Sequence, residues 1–541
     1  MARMTGGQAL VESLKREGIE TIFGLPGVQL DWAFDALYES RDQIKVYHTR
    51  HEQATSYMAD GYARTTGKIG TCLVVPGPGL LNAAAGLSTA YACSSPVLCI
   101  AGQIQSDLIG VGRGVLHEID HQLEMIGSVT KWAGRAMSPG EVPGIVREAF
   151  RQLRSGRPRP VEIEIPPDVL QGEAEVELYE PERPERSAGD PDLLRQAAER
   201  LRAAERPMIF VGGGIFAAEA WDELRQLAEA LQAPVVMSRN GRGALSDRHY
   251  LALNSMAGRR LWAECDVALA VGTRFVDPAT GWGLPDGLTT IHLDVEEREV
   301  GRNFTPTIGI VGDAKRGLAR LVELVDGANR PSREQELTRL KEEVNDLLYE
   351  IQPQAAYAEA LRNALPDDGV LVNESTQVGY FSMLGFPVYE PRTFLTSGYQ
   401  GTLGYGYATA LGAQVGNPDK KVLSINGDGG FMYNVQELST QKIHGINLVT
   451  VVFNDNAFGN VKRIQQQTFD GRTIASDLYN PDFVKLAESF GIRGARAHSP
   501  QELEGTLREA LASNEPVLIE APVGEMPGMW HLLRAPQPAR R

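Results

Sequence analysis

Short apolar runs alternate along the chain with stretches whose apolar residues recur every third or fourth position. Thr21-Ile-Phe-Gly, Gly70-Thr-Cys-Leu-Val-Val, Pro96-Val-Leu-Cys-Ile-Ala and Pro160-Val-Glu-Ile-Glu-Ile are of the first kind. Thr5 to Arg16, and the alanine-rich stretch after Gly77-Pro-Gly, are of the second. An apolar run too short for a helix and bounded by glycine or proline reads as a strand. Strands that alternate with helices read as a parallel sheet covered on both faces. The alternation returns twice. Pro207-Met-Ile-Phe-Val, Val235-Val-Met, Val267-Ala-Leu-Ala-Val and Thr290-Ile-His-Leu-Asp form a second set. Lys421-Val-Leu-Ser-Ile and Asn447-Leu-Val-Thr-Val-Val-Phe belong to a third. The pattern predicts an α/β protein of three doubly wound parallel-sheet domains, over residues 1–180, 192–330 and 351–541. The acidic, proline-bearing stretch from Gly172 to Pro191 reads as a linker, and the charged helical residues 332–350 as a second connection. Gly212-Gly-Gly-Ile lacks the full Gly-x-Gly-x-x-Gly pattern, so a tight turn is expected there rather than a dinucleotide site.

Composition narrows the class. The 541 residues suit about three domains of ordinary size, and 43% hydrophobic with 23% charged residues suits a globular enzyme. A formal net charge of −16 disfavours a nucleic-acid partner. No apolar run approaches the roughly 18 residues of a membrane span, and the N-terminus lacks an apolar signal core. Cys72, Cys93, Cys99 and Cys265 form no Cys-x-x-Cys pair, so buried thiols in a reducing cytoplasm are expected.

The third set of strands carries the chemistry. Asp428 closes one strand in Ile425-Asn-Gly-Asp-Gly-Gly, and Asp455 closes the next in Asn454-Asp-Asn, with the helix-like stretch Val435 to His444 between them. Gly427, Gly429 and Gly430 let backbone N–H groups approach an anion, and the following helix presents its N-terminus to it. Mg²⁺ takes a near-octahedral oxygen shell and usually shares it with substrate phosphates. Asp428, Asp455 and a carbonyl near Ala457 would supply three oxygens. The plain alternative is two ordinary strand-to-helix turns.

This arrangement resembles the signature of the thiamine diphosphate (ThDP) enzymes, Gly-Asp-Gly followed at a distance by Asn-Asn, here Asn454-Asp455. The resemblance covers nearly the whole chain and is closest to the acetolactate synthase and benzoylformate decarboxylase branch. It implies ThDP and Mg²⁺ as cofactors, a pyrimidine-binding first domain, a central domain and a diphosphate-binding third. His48-Thr-Arg-His-Glu52 through Arg64 is similar to the family's catalytic-glutamate segment. Glu52 would hydrogen-bond the pyrimidine ring nitrogen and drive its tautomerisation, a proton-sharing role that partial burial favours. His51 is given no catalytic role. Thr376 and Gln377 would face the diphosphate. The Gly401 carbonyl would accept from the exocyclic amine, and Leu403 would wedge the two rings apart. The family joins glutamate and diphosphate sites from different chains, which implies a homodimer or homotetramer with active sites at the subunit interface.

The implied reaction is decarboxylation of a pyruvate-like 2-oxo acid, then transfer of the acyl carbanion to a carbonyl acceptor. Val28, beside Gln29, and Val461 are apolar where pyruvate decarboxylases keep acids, which weakens a simple decarboxylase reading. His117 stands where acetolactate synthases have a glutamine. It is a candidate proton donor or acceptor, or else an ordinary loop histidine. Ile464 replaces their tryptophan, and Pro278 replaces an arginine that contacts the acceptor carboxylate. The acceptor would then be an aldehyde or ketone rather than a second 2-oxo acid, unless another arginine such as Arg113 or Arg463 stands in. The flavin-associated Gly-Met-His-Gly segment is missing, so FAD is not expected. The alternatives are a simple 2-oxo-acid decarboxylase, and a 2-hydroxyacyl-CoA lyase or oxalyl-CoA decarboxylase, in which the basic tail Arg534 to Arg541 would close over CoA; a solvated, disordered tail is the favoured reading of that segment. A non-catalytic scaffold is disfavoured because Glu52 and Asp428 are intact.

Overall fold

The computed structural model describes residues 2–327 and 330–529. The basic tail Arg534–Arg541 lies outside the described residues. Three six-stranded sheets, parallel throughout, make the framework. Their inner strands are buried along nearly their whole length, and Gly70–Val74, Val97–Gly102 and Val161–Ile165 at every position. A sheet covered on both faces demands this, and it is why these segments read as unbroken apolar runs. The covering helices are one-sided. Val142–Arg154 buries Val142, Val146, Ala149, Phe150 and Leu153 and turns its charges outward.

In the first sheet the order is Lys45–His48, Thr21–Gly24, Gly70–Val74, Val97–Gly102, Val161–Ile165, Trp132–Arg135. In the third it is Phe394–Leu395, Val370–Asn373, Val422–Gly427, Val449–Asn454, Val517–Pro522, Arg493–Arg496. Numbered within its own unit, each sheet runs 2-1-3-4-6-5. The two units share a topology that no residue-level repeat in the sequence reveals. The central sheet runs 3-2-1-4-5-6, with Pro207–Val211 beside Val267–Val271 at its middle.

One expectation needs correction. The stretch after Gly172 is not wholly linker, because Glu173–Val176 pairs antiparallel with Ala2–Thr5. Its alternating pattern lets it close against the chain's first residues, and Arg3 Nε donates to Glu173 Oε2 at 2.8 Å.

The first and third units meet through two helices. Glu52–Thr66 crosses Tyr405–Gly416 so closely that a Cβ on Gly61 would lie 1.9 Å from Thr409 O, and one on Gly412 would lie 1.9 Å from Met58 O. Only a residue without a side chain permits that approach from both sides. Gly412→Leu is expected to lower stability by about 3 kcal/mol through overpacking. Urea denaturation checks this, and an unchanged midpoint would show that the crossing is not tight.

Candidate functional site

In an open parallel sheet, ligands sit beyond the carboxyl ends of the strands at the point where strand order reverses. In the third sheet that point lies between Val370–Asn373 and Val422–Gly427. The predicted residues of this unit gather on its rim. Thr376 precedes the helix Gln377–Gly385, and both Thr376 and Gln377 are buried. Gly427 precedes the short helix Asp428–Phe431. Asp428 Oδ1 accepts the Gly429 N–H at 2.9 Å, and Oδ2 accepts from Asn480 Nδ2 at 2.6 Å. A Cβ on Gly429 would strike the Phe458 ring at 2.6 Å, and one on Gly430 would lie 2.1 Å from Glu374 Oε1, so both positions require glycine.

The next strand, Val449–Asn454, delivers Asp455 beside Asp428. Asp455 Oδ1 accepts the Ala457 N–H at 3.2 Å, and a Cβ on Gly459 would lie 2.4 Å from Oδ2. Between Asp455 and Ala457, Asn456 has φ +54°, a left-handed conformation that asparagine tolerates better than most residues. The loop is held from outside. Ala457 bridges to Asp477, Leu478 N donates to Asn456 O at 2.8 Å, and Phe458 N donates to Ser476 O at 2.8 Å.

Electrostatics distinguish this pair from ordinary turns. Burial, and then the charge of Asp428, push the Asp455 carboxyl up to about 6; burial raises Asp428 as well. Two desolvated like charges converge, an arrangement that a cation relieves. Among the described residues no group of three or more His, Cys, Asp or Glu side chains could hold a metal. These carboxylates therefore need backbone and ligand oxygens to complete a shell, as Mg²⁺ shared with a diphosphate would. The same rim carries buried polar atoms with no hydrogen-bond partner: Asn373 Oδ1, Glu374 Oε2, Thr376 Oγ1 and Asn426 Oδ1. Such atoms are costly to leave unpaired; Asn373 Oδ1 and Thr376 Oγ1 suit a polar ligand, whereas Glu374 Oε2 and Asn426 Oδ1 crowd the same face of Gly406.

Two of these residues escape a reading of sequence. Asn480 bridges Asp428, Asn454 Oδ1 (2.9 Å) and Asn456 Oδ1 (3.3 Å). Its only sequence signal is an Asn-Pro turn far along the chain. Glu374 sits inside a segment already singled out, but an acid there gives no sign that it is wholly buried.

In the first unit, Glu52 opens the helix Glu52–Thr66 and is half-buried, with Asn82 Nδ2 donating to its Oε2 at 3.0 Å. His51 caps that helix, its Nδ1 accepting from Gln53 N at 3.3 Å. His117, with φ +68°, lies 3.0 Å through Nδ1 from Gln29 Oε1, and Gln29 Nε2 donates to Leu116 O at 3.2 Å. The turn Pro76–Gly79 links this pair to Glu52. A Cβ on Gly77 (φ +56°) would lie 2.3 Å from His117 O, and one on Gly79 would lie 3.6 Å from Glu52 Oε1. Val28 beside them is 63% exposed.

Gly401, with φ +61°, is exposed, and Leu403 is half-buried, so Leu403 is no core residue. Val461 and Ile464 stand 49% and 47% exposed, three residues apart on the helix Gly459–Thr468. Arg463 turns the other way. It is buried and donates to Gln377 Oε1 (3.2 and 3.1 Å), Met526 O (3.1 Å) and Asn460 Oδ1 (2.9 Å). This corrects the expectation that Arg463 stands in for the missing arginine, since its guanidinium is spent on the protein; Arg113 is exposed. Arg274 lies 4.3 Å over the Tyr399 ring, and Pro278 is buried in the helical turn Asp277–Trp282.

A cavity of about 1090 Å³ opens at the switch point of the central sheet, lined by Gly212, Gly213, Gly272, Arg274, Arg157 and Tyr399 among others. None of the predicted site residues lines it. The glycines there answer a packing need, because a Cβ on Gly212 or Gly214 would meet the backbone of Gly272 at 2.4 or 2.6 Å.

The comparisons agree with this geometry. Residues 4–125 match the N-terminal TPP binding domain of thiamine pyrophosphate enzymes, 194–321 their central domain and 377–521 their C-terminal TPP binding domain. The chain is 37% identical to the probable acetolactate synthase large subunit of Methanocaldococcus jannaschii, covering 96% of this chain and 91% of that one. It is 33% identical to the acetolactate synthase isozyme 2 large subunit of Escherichia coli, covering 98% and 97%. It is 35% identical to a probable 2-ketoarginine decarboxylase of Pseudomonas aeruginosa, covering 96% and 94%. With three family domains in order along the chain, the protein belongs to the thiamine pyrophosphate enzymes, in their acetolactate synthase-like branch.

Proposed function

We propose that this chain is a ThDP- and Mg²⁺-dependent carboligase that decarboxylates a 2-oxo acid such as pyruvate and joins the remaining acyl fragment to a second carbonyl compound. The observation that carries the cofactor assignment is the convergence of Asp428 and Asp455, each raised by burial and Asp455 also by its neighbour's charge, at a sheet switch point. When bound, ThDP supplies a nucleophilic carbon and an electron sink for the cleaved bond. Asp428, Asp455 and the Ala457 carbonyl hold the ion. Gly427, Gly429, Gly430, Thr376 and Gln377 receive the diphosphate, and Gly401 and Leu403 shape the ring end. Glu52, half-buried and steadied by Asn82, shares a proton with the pyrimidine. His117, oriented by Gln29, moves a proton near the substrate. Val28, Val461 and Ile464 wall the pocket with apolar surface, which excludes water and favours addition to a carbonyl over protonation. Their exposure, with that of Tyr433 and Tyr479, supports a homodimer or homotetramer in which a second copy completes the site.

A second reading, a simple 2-oxo-acid decarboxylase, is favoured by Pro278 in place of the acceptor-binding arginine and by the Pseudomonas relative's name. Incubation with pyruvate, with and without an added aldehyde or second 2-oxo acid, separates the two by mass spectrometry. Hydroxyketone or acetolactate-type products support the carboligase; free aldehyde alone supports the decarboxylase.

Glu52→Gln is expected to lower kcat at least about a hundredfold while leaving ThDP affinity within about threefold. Full turnover would exclude Glu52 from catalysis. Asp428→Ala should raise the Mg²⁺ and ThDP requirement steeply, as cofactor-dependent fluorescence quenching can measure.

The Asp455 carboxyl gives a pH signature of definite sign. Its folded-state value near 6 exceeds the ordinary aspartate value, so its burial costs the cation-free protein stability as pH rises through that value. In chelated protein, Asp455→Asn should therefore melt higher than wild type above about pH 7, with the gap closing below about pH 5. Mg²⁺ needs the ionised carboxylate, so its apparent affinity for wild type should fall about tenfold per pH unit below 6.

A further inference from the structure

Glu374 is a buried acid at this site that the proposed chemistry does not use. It is wholly buried, and none of the ion pairs among the described residues includes it. It follows strand Val370–Asn373 and lies between two pieces of the cofactor cradle. Its Oε1 accepts the N–H of Gly404, the residue after Leu403, and lies against Gly430 of the Asp428 turn. Gly404 is gripped from the other side as well, because Asn434 Nδ2 donates to Gly404 O at about hydrogen-bond length. Its φ of +83° and the close Tyr433 side chain leave it no freedom to move independently.

The other oxygen raises a difficulty. Glu374 Oε2 and Asn426 Oδ1 would each lie 2.7 Å from a Cβ on Gly406, so both crowd the same face of that glycine. Neither meets a donor in full hydrogen-bond geometry, although the Gly406 N–H is near enough to the Glu374 carboxyl to lower its pKa. Asn426 turns its amide nitrogen toward Ser424 Oγ (3.0 Å) and Val451 O (3.5 Å), which leaves its carbonyl oxygen on the Gly406 side with Glu374 Oε2. Two acceptors facing one another repel unless a proton lies between them. The titratable groups that face Glu374 from the neighbouring helices are phenols: Tyr57 of Glu52–Thr66, Tyr380 of Gln377–Gly385 and Tyr405 of Tyr405–Gly416. All three are themselves raised by burial, so they are neutral and supply no positive charge.

We propose that Glu374 works as an undissociated carboxylic acid, accepting the Gly404 N–H through one oxygen and donating its own proton to Asn426 Oδ1 through the other. This neutral bridge makes Glu374 a positioning residue: it sets the Leu403 loop against the Asp428 turn. Burial pushes the carboxyl up to about 8, which agrees with that state near neutrality. Ionisation would remove the donated hydrogen bond and place a negative charge under a cradle built for an anion. The consequence for ThDP rests on the cofactor reading above; the protonation state does not.

The test uses the full-length protein and its Glu374→Gln variant, whose amide keeps one acceptor and one donor without a charge. In the cofactor-free protein, an infrared difference spectrum of wild type against the variant should show the carbonyl stretch of a protonated carboxylic acid at about pH 7, vanishing by about pH 9. ThDP titrated in the presence of Mg²⁺ should bind wild type about tenfold more weakly at about pH 9 than at about pH 7, and should bind Glu374→Gln equally at both. An ionised carboxylate band from Glu374 at about pH 7, or the same loss of affinity in the Gln variant, would overturn the proposal. A protonated band with no ThDP binding at either pH would support the neutral bridge and overturn the cofactor reading instead.

Discussion

The site depends on one electrostatic constraint. Parallel pairing of Val422–Gly427 with Val449–Asn454 sets two strand ends side by side, and each end is followed by an aspartate. Burial raises both carboxyls toward the neutral form, and the charge of Asp428 raises Asp455 further. An isolated pair of this kind is unfavourable. The surroundings are organised around holding it: Gly429, Asn480 and Ala457 donate to the carboxylates, and the left-handed turn at Asn456 brings the second one round. A fold that keeps such a pair in place retains an unfavourable charge, which the proposed cation would relieve.

The architecture explains why the pair sits where it does. The first and third sheets share the order 2-1-3-4-6-5, so each has a switch point between its first and third strands. In the third unit that point holds the aspartates and the buried, unpartnered polar atoms; in the first it holds Gln29, His117 and the Pro76–Gly79 turn. The two units are joined by a helix crossing whose closeness rests on Gly61 and Gly412. Packing there is backbone against backbone, which is stiff and transmits any shift between units directly. The central sheet has a different order and takes no part in that crossing, and the large cavity at its switch point is lined by residues of all three units.

Polar groups inside the third unit form a second tier behind the aspartates. Glu374 touches the Leu403 loop through Gly404 and the Asp428 turn through Gly430. Arg463 ties Gln377 to the carbonyl of Met526 and so anchors the segment that follows the last strand. Exposed apolar residues meanwhile crowd the outer rim, notably Val461 and Ile464 on one helix face. The interior of the site is thus rigid and polar, while its mouth is open and apolar.

Much of this was legible in the chain. Inner strands are buried on both faces, so they appear as uninterrupted apolar runs, and the glycines about Asp428 announce a turn where backbone must be bare. Short edge strands such as Trp132–Arg135, Phe394–Leu395 and Arg493–Arg496 were not legible, because an edge has one neighbour and tolerates charge, glycine and brevity. Likewise, nothing local tells that Arg463 turns inward while Val461 and Ile464 turn outward, that Asn480 reaches back to Asp428, or that Glu374 is sealed from water. By itself, sequence determined the α/β class, the two aspartates and the glutamate that opens the first unit's helix, because residue type and period depend only on near neighbours. Tertiary structure alone decided which polar atoms share a buried volume, because the free energy of a charge is set by everything packed around it, however distant along the chain.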